Sequence, residues 1–215
     1  MCRNSLNLDK VQMRTGDLVK VRGVMPKYLD DHIYHVYNRG AHKMPLFASP
    51  DHYRRLLSIF IKYRDRYKVS FLAYCLMPNH YHLILRQEEA GSISGFLKTV
   101  FNTFTQTINA LTGHSGTLFQ GQSQGKAVED EDYLVHLIRY VHLNPVTAHL
   151  VRHPEEWKFS DCGEWMGLKD ATLTDLSVRN EYFEDGKGDR NFVEAYREDK
   201  DKEIVGRLWP EALEP

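Results

Sequence analysis

Cysteine is scarce in this chain. Cys2, Cys75 and Cys162 are the only three, far apart and in no C-x-x-C pair. That spacing supports neither a disulfide framework nor a thiolate metal knot, so the thiols read as free groups in a reducing compartment. Long apolar runs are missing too: none approaches the roughly 18 residues that a membrane-spanning helix needs. The opening MCRNSLNLDK holds no apolar stretch of the signal-peptide kind. The expected location is therefore cytoplasmic, with no membrane partner. Repeats and low-complexity tracts are absent. No H-E-x-x-H motif or Asp-rich constellation supports a metal-dependent hydrolase built on His80, His82 and a carboxylate, and Glu129 to Asp132 more simply start a helix.

What is present is a 215-residue chain, long enough to bury a sizeable core without staples. Its net charge of −1 gives by itself no hint of a polyanionic partner. The average conceals a split, because residues 154–215 hold 9 Lys/Arg and 17 Asp/Glu, whereas residues 1–153 hold 19 and 12 together with all 11 histidines. A basic, His-rich body suits phosphate binding, although charge blocks also describe ordinary solvated faces. The expected organisation is an N-terminal arm (1–27), one domain (28–153) and an acidic C-terminal extension (154–215).

Periodicity supplies the elements. IYHVYN at 33–38 alternates and is rich in aromatic and β-branched residues, which predicts a strand. Ser49-Pro50-Asp51 opens a helix to Tyr67, with Tyr53, Leu56, Leu57, Phe60 and Ile61 at helical spacing. Val69–Met77 reads as a buried strand, and HYHLILR at 80–86 alternates again after a Pro78-Asn79 turn, so the two should form an antiparallel hairpin. A second helix is expected over 92–111. Residues 113–125 then form a loop with room for one short strand. A third helix spans 129–144 and closes before Pro145. The order β-α-β-β-α with a further strand predicts an α+β fold, a ferredoxin-like antiparallel sheet with packed helices.

Two features carry chemistry. His80 and His82 are two apart on a strand, so both imidazoles project from one face and can grip a divalent cation as neutral ligands. Taken alone, such a pair is a weak signal, because satisfied or exposed histidine pairs outnumber metal-binding ones. On the third helix Leu134, Leu137, Ile138 and Val141 form the core stripe, and Tyr133, His136, Tyr140 and Asn144 share a strip about 100° away from it. Tyr140 and Asn144 stand one above the other. The same pair also fits a half-buried tyrosine and a helix-ending asparagine. If Asn144 adds its carbonyl oxygen to the two histidines, the features become one site with Tyr140 beside the metal. A cation there would neutralise a phosphodiester, and a tyrosine oxygen could attack it in line.

These residues and their neighbours resemble a known family. YHVYNRG (34–40), MPNHYHLIL (77–85), LFQG (118–121) and VEDEDYLVHLIRYVHLNPVTAHLV (128–151) look like the REP-associated tyrosine transposases, a branch of the HUH-class single-tyrosine transposases of insertion sequences. The resemblance implies a metal pair at His80 and His82, a third ligand at Asn144 and a nucleophile at Tyr140. It implies Mg2+ or Mn2+ as cofactor and a single-stranded DNA endonuclease and strand transferase acting near hairpins such as repetitive extragenic palindromes. A 5′-phosphotyrosine and a free 3′-hydroxyl would form, with no need for ATP. A monomer or a homodimer is compatible with it. One departure stands out: Gln122-Ser123-Gln124-Gly125 separates LFQG from Lys126, where an Arg or Pro, an aromatic and a Lys usually follow directly. Arg39, Arg54, Arg55 and Lys126 are the expected DNA contacts. His35 could face the sheet near the site or equally be a structural histidine, and it is left outside the metal set. A non-catalytic nucleic-acid-binding protein of the same fold is the competing reading.

Overall fold

A computed structural model describes residues 28–182; the expected arm (1–27) and the end of the acidic extension (183–215) lie outside the described residues. β1 (Ile33–Arg39), β2 (Val69–Leu76), β3 (His80–Gln87) and β4 (Gln124–Val128) form one sheet in the order β2-β3-β1-β4, every neighbour antiparallel. α1 (Pro50–Tyr67) joins β1 to β2, and α2 (Ile93–Thr112) joins β3 to β4. Two β-α-β units therefore interleave, which is the expected ferredoxin-like arrangement. No described helix is long and apolar enough to cross a membrane.

Strand alternation gives the two faces of the sheet different tasks. Tyr34 and Val36 of β1 and Tyr81, Leu83 and Leu85 of β3 point to one face, where they pack with Tyr53, Leu56 and Phe60 of α1 and Phe96, Val100, Phe101 and Phe104 of α2. Each such side chain contributes about 1.5–3 kcal/mol on burial, so this aromatic-rich face is the main source of stability. The ends of α2 follow from local chemistry. The Ser92 hydroxyl accepts from the Gly95 N–H at 3.0 Å, and Gly113 ends the helix at φ 66°. At α1, Ser49 occupies the capping position but its side chain makes no capping bond.

The other face carries a second cluster. Ala73, Cys75 and Ile84 of the sheet meet Leu134, Leu137, Ile138 and Val141 of α3 (Glu131–Thr147), the stripe expected from the sequence. Contrary to the expectation that the helix closes before Pro145, it runs through that residue to Thr147. A proline lacks the N–H that would bond four residues back. Here it sits in the last turn, and the N–H groups of Ala148 and Leu150 still close on the carbonyls of Asn144 and Pro145, each at 2.9 Å.

Residues beyond α3, read from composition as the start of an acidic extension, pack against the sheet as far as they are described. Trp157 and Phe159 join the first cluster, while Trp165 of α4 (Cys162–Trp165) and Val178 of α5 (Ser177–Tyr182) join the second. Bridges Cys75–Ser160 and Phe71–Thr174 lie beside β2. Asp161 is wholly buried. Its Oδ1 accepts from the Tyr74 N–H at 2.8 Å and lies 2.9 Å from His142 Nε2, and its Oδ2 accepts from the Thr174 hydroxyl at 3.0 Å. That carboxylate ties α3 to β2 and to the segment that follows α3.

Candidate active site

The strand pattern of β3 sends Tyr81 into the aromatic core, stacked on Phe101 at 4.7 Å, and turns His80 and His82 to the face covered by α3. β3 is an interior strand, with His82 between Tyr37 of β1 and Cys75 of β2 and His80 opposite Arg39. The two imidazole rings are 5.1 Å apart between centroids and nearly perpendicular, at 87°. α3 brings Tyr140 over this pair: its ring meets that of His82 edge-on, with centroids 5.5 Å apart and 82° between planes. One turn on, Asn144 donates from Nδ2 to the Tyr140 carbonyl at 2.9 Å and is hydrogen-bonded to His80 through the same side chain. His80 also lies with Nδ1 2.8 Å from Asn79 Oδ1.

The structure thus brings His80, His82, Tyr140 and Asn144 together. Arg39 is close enough to act on His80 electrostatically, and Lys126 of β4 faces His35 across the ladder. Arg39 is held by Gln120, whose Oε1 accepts from Nε at 2.6 Å. Arg54 and Arg55 are not brought to the site; they lie on α1, which packs on the opposite face of the sheet. The unusual stretch after LFQG runs alongside the end of β1. The Ser123 and Tyr81 hydroxyls are 2.7 Å apart, Asn38 Nδ2 donates to the Gly121 carbonyl at 3.2 Å, and Gln124 and Gly125 are already in β4. A Cβ at Gly125 would come 2.5 Å from the Tyr28 hydroxyl, so a larger residue there would require the Tyr28 side chain to shift.

His35 is the residue that sequence reasoning undervalued. It is fully buried, its ring lies nearly parallel to that of His82 (13°, centroids 5.1 Å), and its Nε2 is 2.9 Å from His82 Nδ1. Alternation put His35 on the same face of β1 as Tyr37, but only the register, with Tyr37 opposite His82, shows that it reaches His82 diagonally.

Electrostatics favour neutral rings. Burial pushes His80 down to about 4; the bond to Asn144 opposes this and the Arg39 charge adds to it. Burial, then His35 and His80, hold His82 well below the usual histidine value. Burial and the Lys126 charge bring His35 to about 3. Neutral imidazole is the form that ligates metal. Among the described residues no group of three or more His, Cys, Asp or Glu side chains could hold a metal ion. The side chains expected as a metal set are two imidazoles held neutral and an amide, donor types compatible with a divalent cation.

The same burial sets a pH dependence of stability. An unfolded histidine titrates near 6.5, whereas these three resist protonation in the fold, so the unfolded chain binds more protons below that pH. Their stabilising share is complete above about pH 6.5 and is lost as pH falls toward the folded values. Thermal melts followed by circular dichroism should show a constant Tm from pH 8 to 7 and a steady decline from 6.5 to 5, above the ordinary carboxylate range. A Tm unchanged across that window would contradict neutral burial of these rings.

The four-stranded ferredoxin-like sheet thus carries a histidine pair under a helix tyrosine. The model of the IS200-like transposases matches residues 28–142, and the chain belongs to that family; its role is that of a transposase. A solved REP-associated tyrosine transposase bound to a REP hairpin shares the fold, with a TM-score of 0.59 and 19% identity over 74% of this chain and 96% of that one. A Deinococcus radiodurans protein described as a candidate transposase matches with a TM-score of 0.39 and 17% identity, over 57% of this chain and 94% of that one. No curated protein matches the chain.

Proposed function

We propose that this transposase is a metal-dependent single-stranded DNA endonuclease and strand transferase that uses Tyr140 as its nucleophile near DNA hairpins. The observation that carries the reading is the placement of Tyr140 edge-on to His82, with Asn144 of the same helix bonded to His80. His80, His82 and Asn144 would hold Mg2+ or Mn2+. Such an ion supplies charge neutralisation at the nonbridging phosphate oxygens and polarises phosphorus.

This chain's own residues do the rest. The Tyr140 hydroxyl loses its proton as Oη bonds to phosphorus; the P–O3′ bond breaks, and the 3′-oxygen leaves as a hydroxyl after taking up a proton. The product is a 5′-phosphotyrosine, whose ester can be attacked by a 3′-hydroxyl in the reverse step, so that cutting and rejoining need no external energy source. Arg39 and Lys126, on the same face, offer cations to the flanking phosphates. The hairpin as substrate is supported by the fold shared with a transposase bound to one.

Incubation with single-stranded hairpin DNA and Mn2+ or Mg2+ tests the reading. A covalent protein–DNA adduct should appear on a denaturing gel and vanish with EDTA. Hairpin binding without any adduct would favour a non-catalytic DNA-binding protein of the same fold. Multiple-turnover release of a free 5′-phosphate would favour a hydrolase.

A further inference from the structure

We propose that His35 is a positioning residue that fixes the tautomer of His82, holding its proton on Nδ1 so that Nε2 presents a lone pair to a divalent cation. The inference rests on the metal-assisted reading above and goes beyond it by giving a role to a histidine outside the ligand set.

Both rings are buried, at 0% and 1% exposure, and His35 Nε2 lies 2.9 Å from His82 Nδ1. A hydrogen bond between two neutral imidazoles holds one proton, so only two arrangements exist. In the first, His35 Nε2–H donates to His82 Nδ1. The proton of His82 then lies on Nε2, and that nitrogen cannot bind a cation. In the second, His82 Nδ1–H donates to His35 Nε2, and His82 Nε2 carries the lone pair. Only the second is compatible with His82 as a ligand, and it moves the proton of His35 to its own Nδ1.

That Nδ1 is buried and makes no hydrogen bond among the described residues. Nothing described on the far side of His35 therefore dictates its proton position, so the His35–His82 bond and the occupancy of Nε2 decide it together. The near-parallel rings keep the two nitrogens in line. An imidazole is suited to this place because it accepts a hydrogen bond without bringing a buried negative charge. A carboxylate would also accept, at the cost of desolvating an ion on a wholly buried strand position.

Titration with Mn2+, followed by calorimetry and by loss of the free Mn2+ electron paramagnetic signal, tests the role. His35→Phe fills the same space without an acceptor and should weaken Mn2+ binding about 10- to 100-fold. His35→Gln, whose Oε1 can accept from His82 Nδ1–H, should restore affinity to within a few fold of wild type. Wild-type affinity in His35→Phe, together with loss of binding in His82→Ala, would overturn the role of His35 and leave the metal reading standing. No Mn2+ binding by the wild-type protein beyond that of a His80→Ala/His82→Ala variant would overturn both. A second measurement needs no variant. Long-range nitrogen–proton NMR of the Mg2+-loaded wild-type protein should show His82 and His35 both protonated at Nδ1. A His82 protonated at Nε2 would sink the proposal even if His35→Phe does not fold.

Discussion

Tyr140→Phe is expected to abolish the covalent protein–DNA adduct and to lower strand cleavage by at least about 10³-fold, because under the proposed mechanism the variant lacks the oxygen that would form the new ester bond. The change removes one oxygen and keeps the ring that packs edge-on against His82. Fold and hairpin affinity should therefore stay close to wild type, which separates loss of chemistry from loss of structure. Wild-type and variant proteins compared on the same labelled hairpin, with a gel-shift assay beside the denaturing gel, give the answer. An adduct that persists in Tyr140→Phe would remove Tyr140 from the mechanism while leaving the histidine pair untouched. Equal loss of binding and cleavage would instead make the hydroxyl a DNA contact.

The largest effect on stability should come from Asp161→Ala. This carboxylate is wholly buried and serves the Tyr74 N–H, the Thr174 hydroxyl and His142 Nε2 together. Removing it leaves three buried groups without their acceptor, a change that costs about 3–5 kcal/mol in comparable buried pairs. Urea unfolding should show a midpoint lowered accordingly. Asp161→Asn, which keeps an acceptor oxygen, should lose less. His142 lies two residues beyond Tyr140 on α3, so the loss should also loosen the helix that carries Tyr140. A cost below about 1 kcal/mol would mean that packing of Leu137, Ile138 and Val141 holds α3 unaided.

The two predictions differ in how far the sequence foretold them. The faces on which Tyr140, His80 and His82 lie were legible because helical and strand periods place side chains without any knowledge of partners, whereas their roles were expected only from the family resemblance. Asn144 followed from the same rule, one turn from Tyr140. Contacts between distant segments were not legible. Asp161 sits in a stretch whose composition reads as a solvated acidic run, and only the folded chain brings it 2.9 Å from His142. His35 was visible as an inward residue of β1, but its bond to His82 depends on the β1–β3 register, which alternation alone leaves open. Arg54 and Arg55 show the converse. A basic helix face is easy to see, yet which side of the sheet it joins is decided by the opposite face, where Tyr53, Leu56 and Phe60 enter the aromatic core. The end of α3 was misplaced because proline is a local stop signal, and in a final turn supported by later N–H groups that signal is overridden.

The bridges beside β2 bear on how this molecule behaves in a crowd of its own copies. An exposed strand edge is a template on which another chain can add itself. Here Phe71–Thr174 and Cys75–Ser160 place the protein's own backbone along the outer side of β2. The segment after α3 therefore acts as a built-in guard rail, and stripping it away would expose a β-branched and aromatic edge prone to fibrous self-assembly. The opposite border of the sheet is β4, five residues long, with Gly125 and Lys126 at its centre. A short strand with a glycine and a lysine is a poor template, so the sheet is discouraged from growing at both margins.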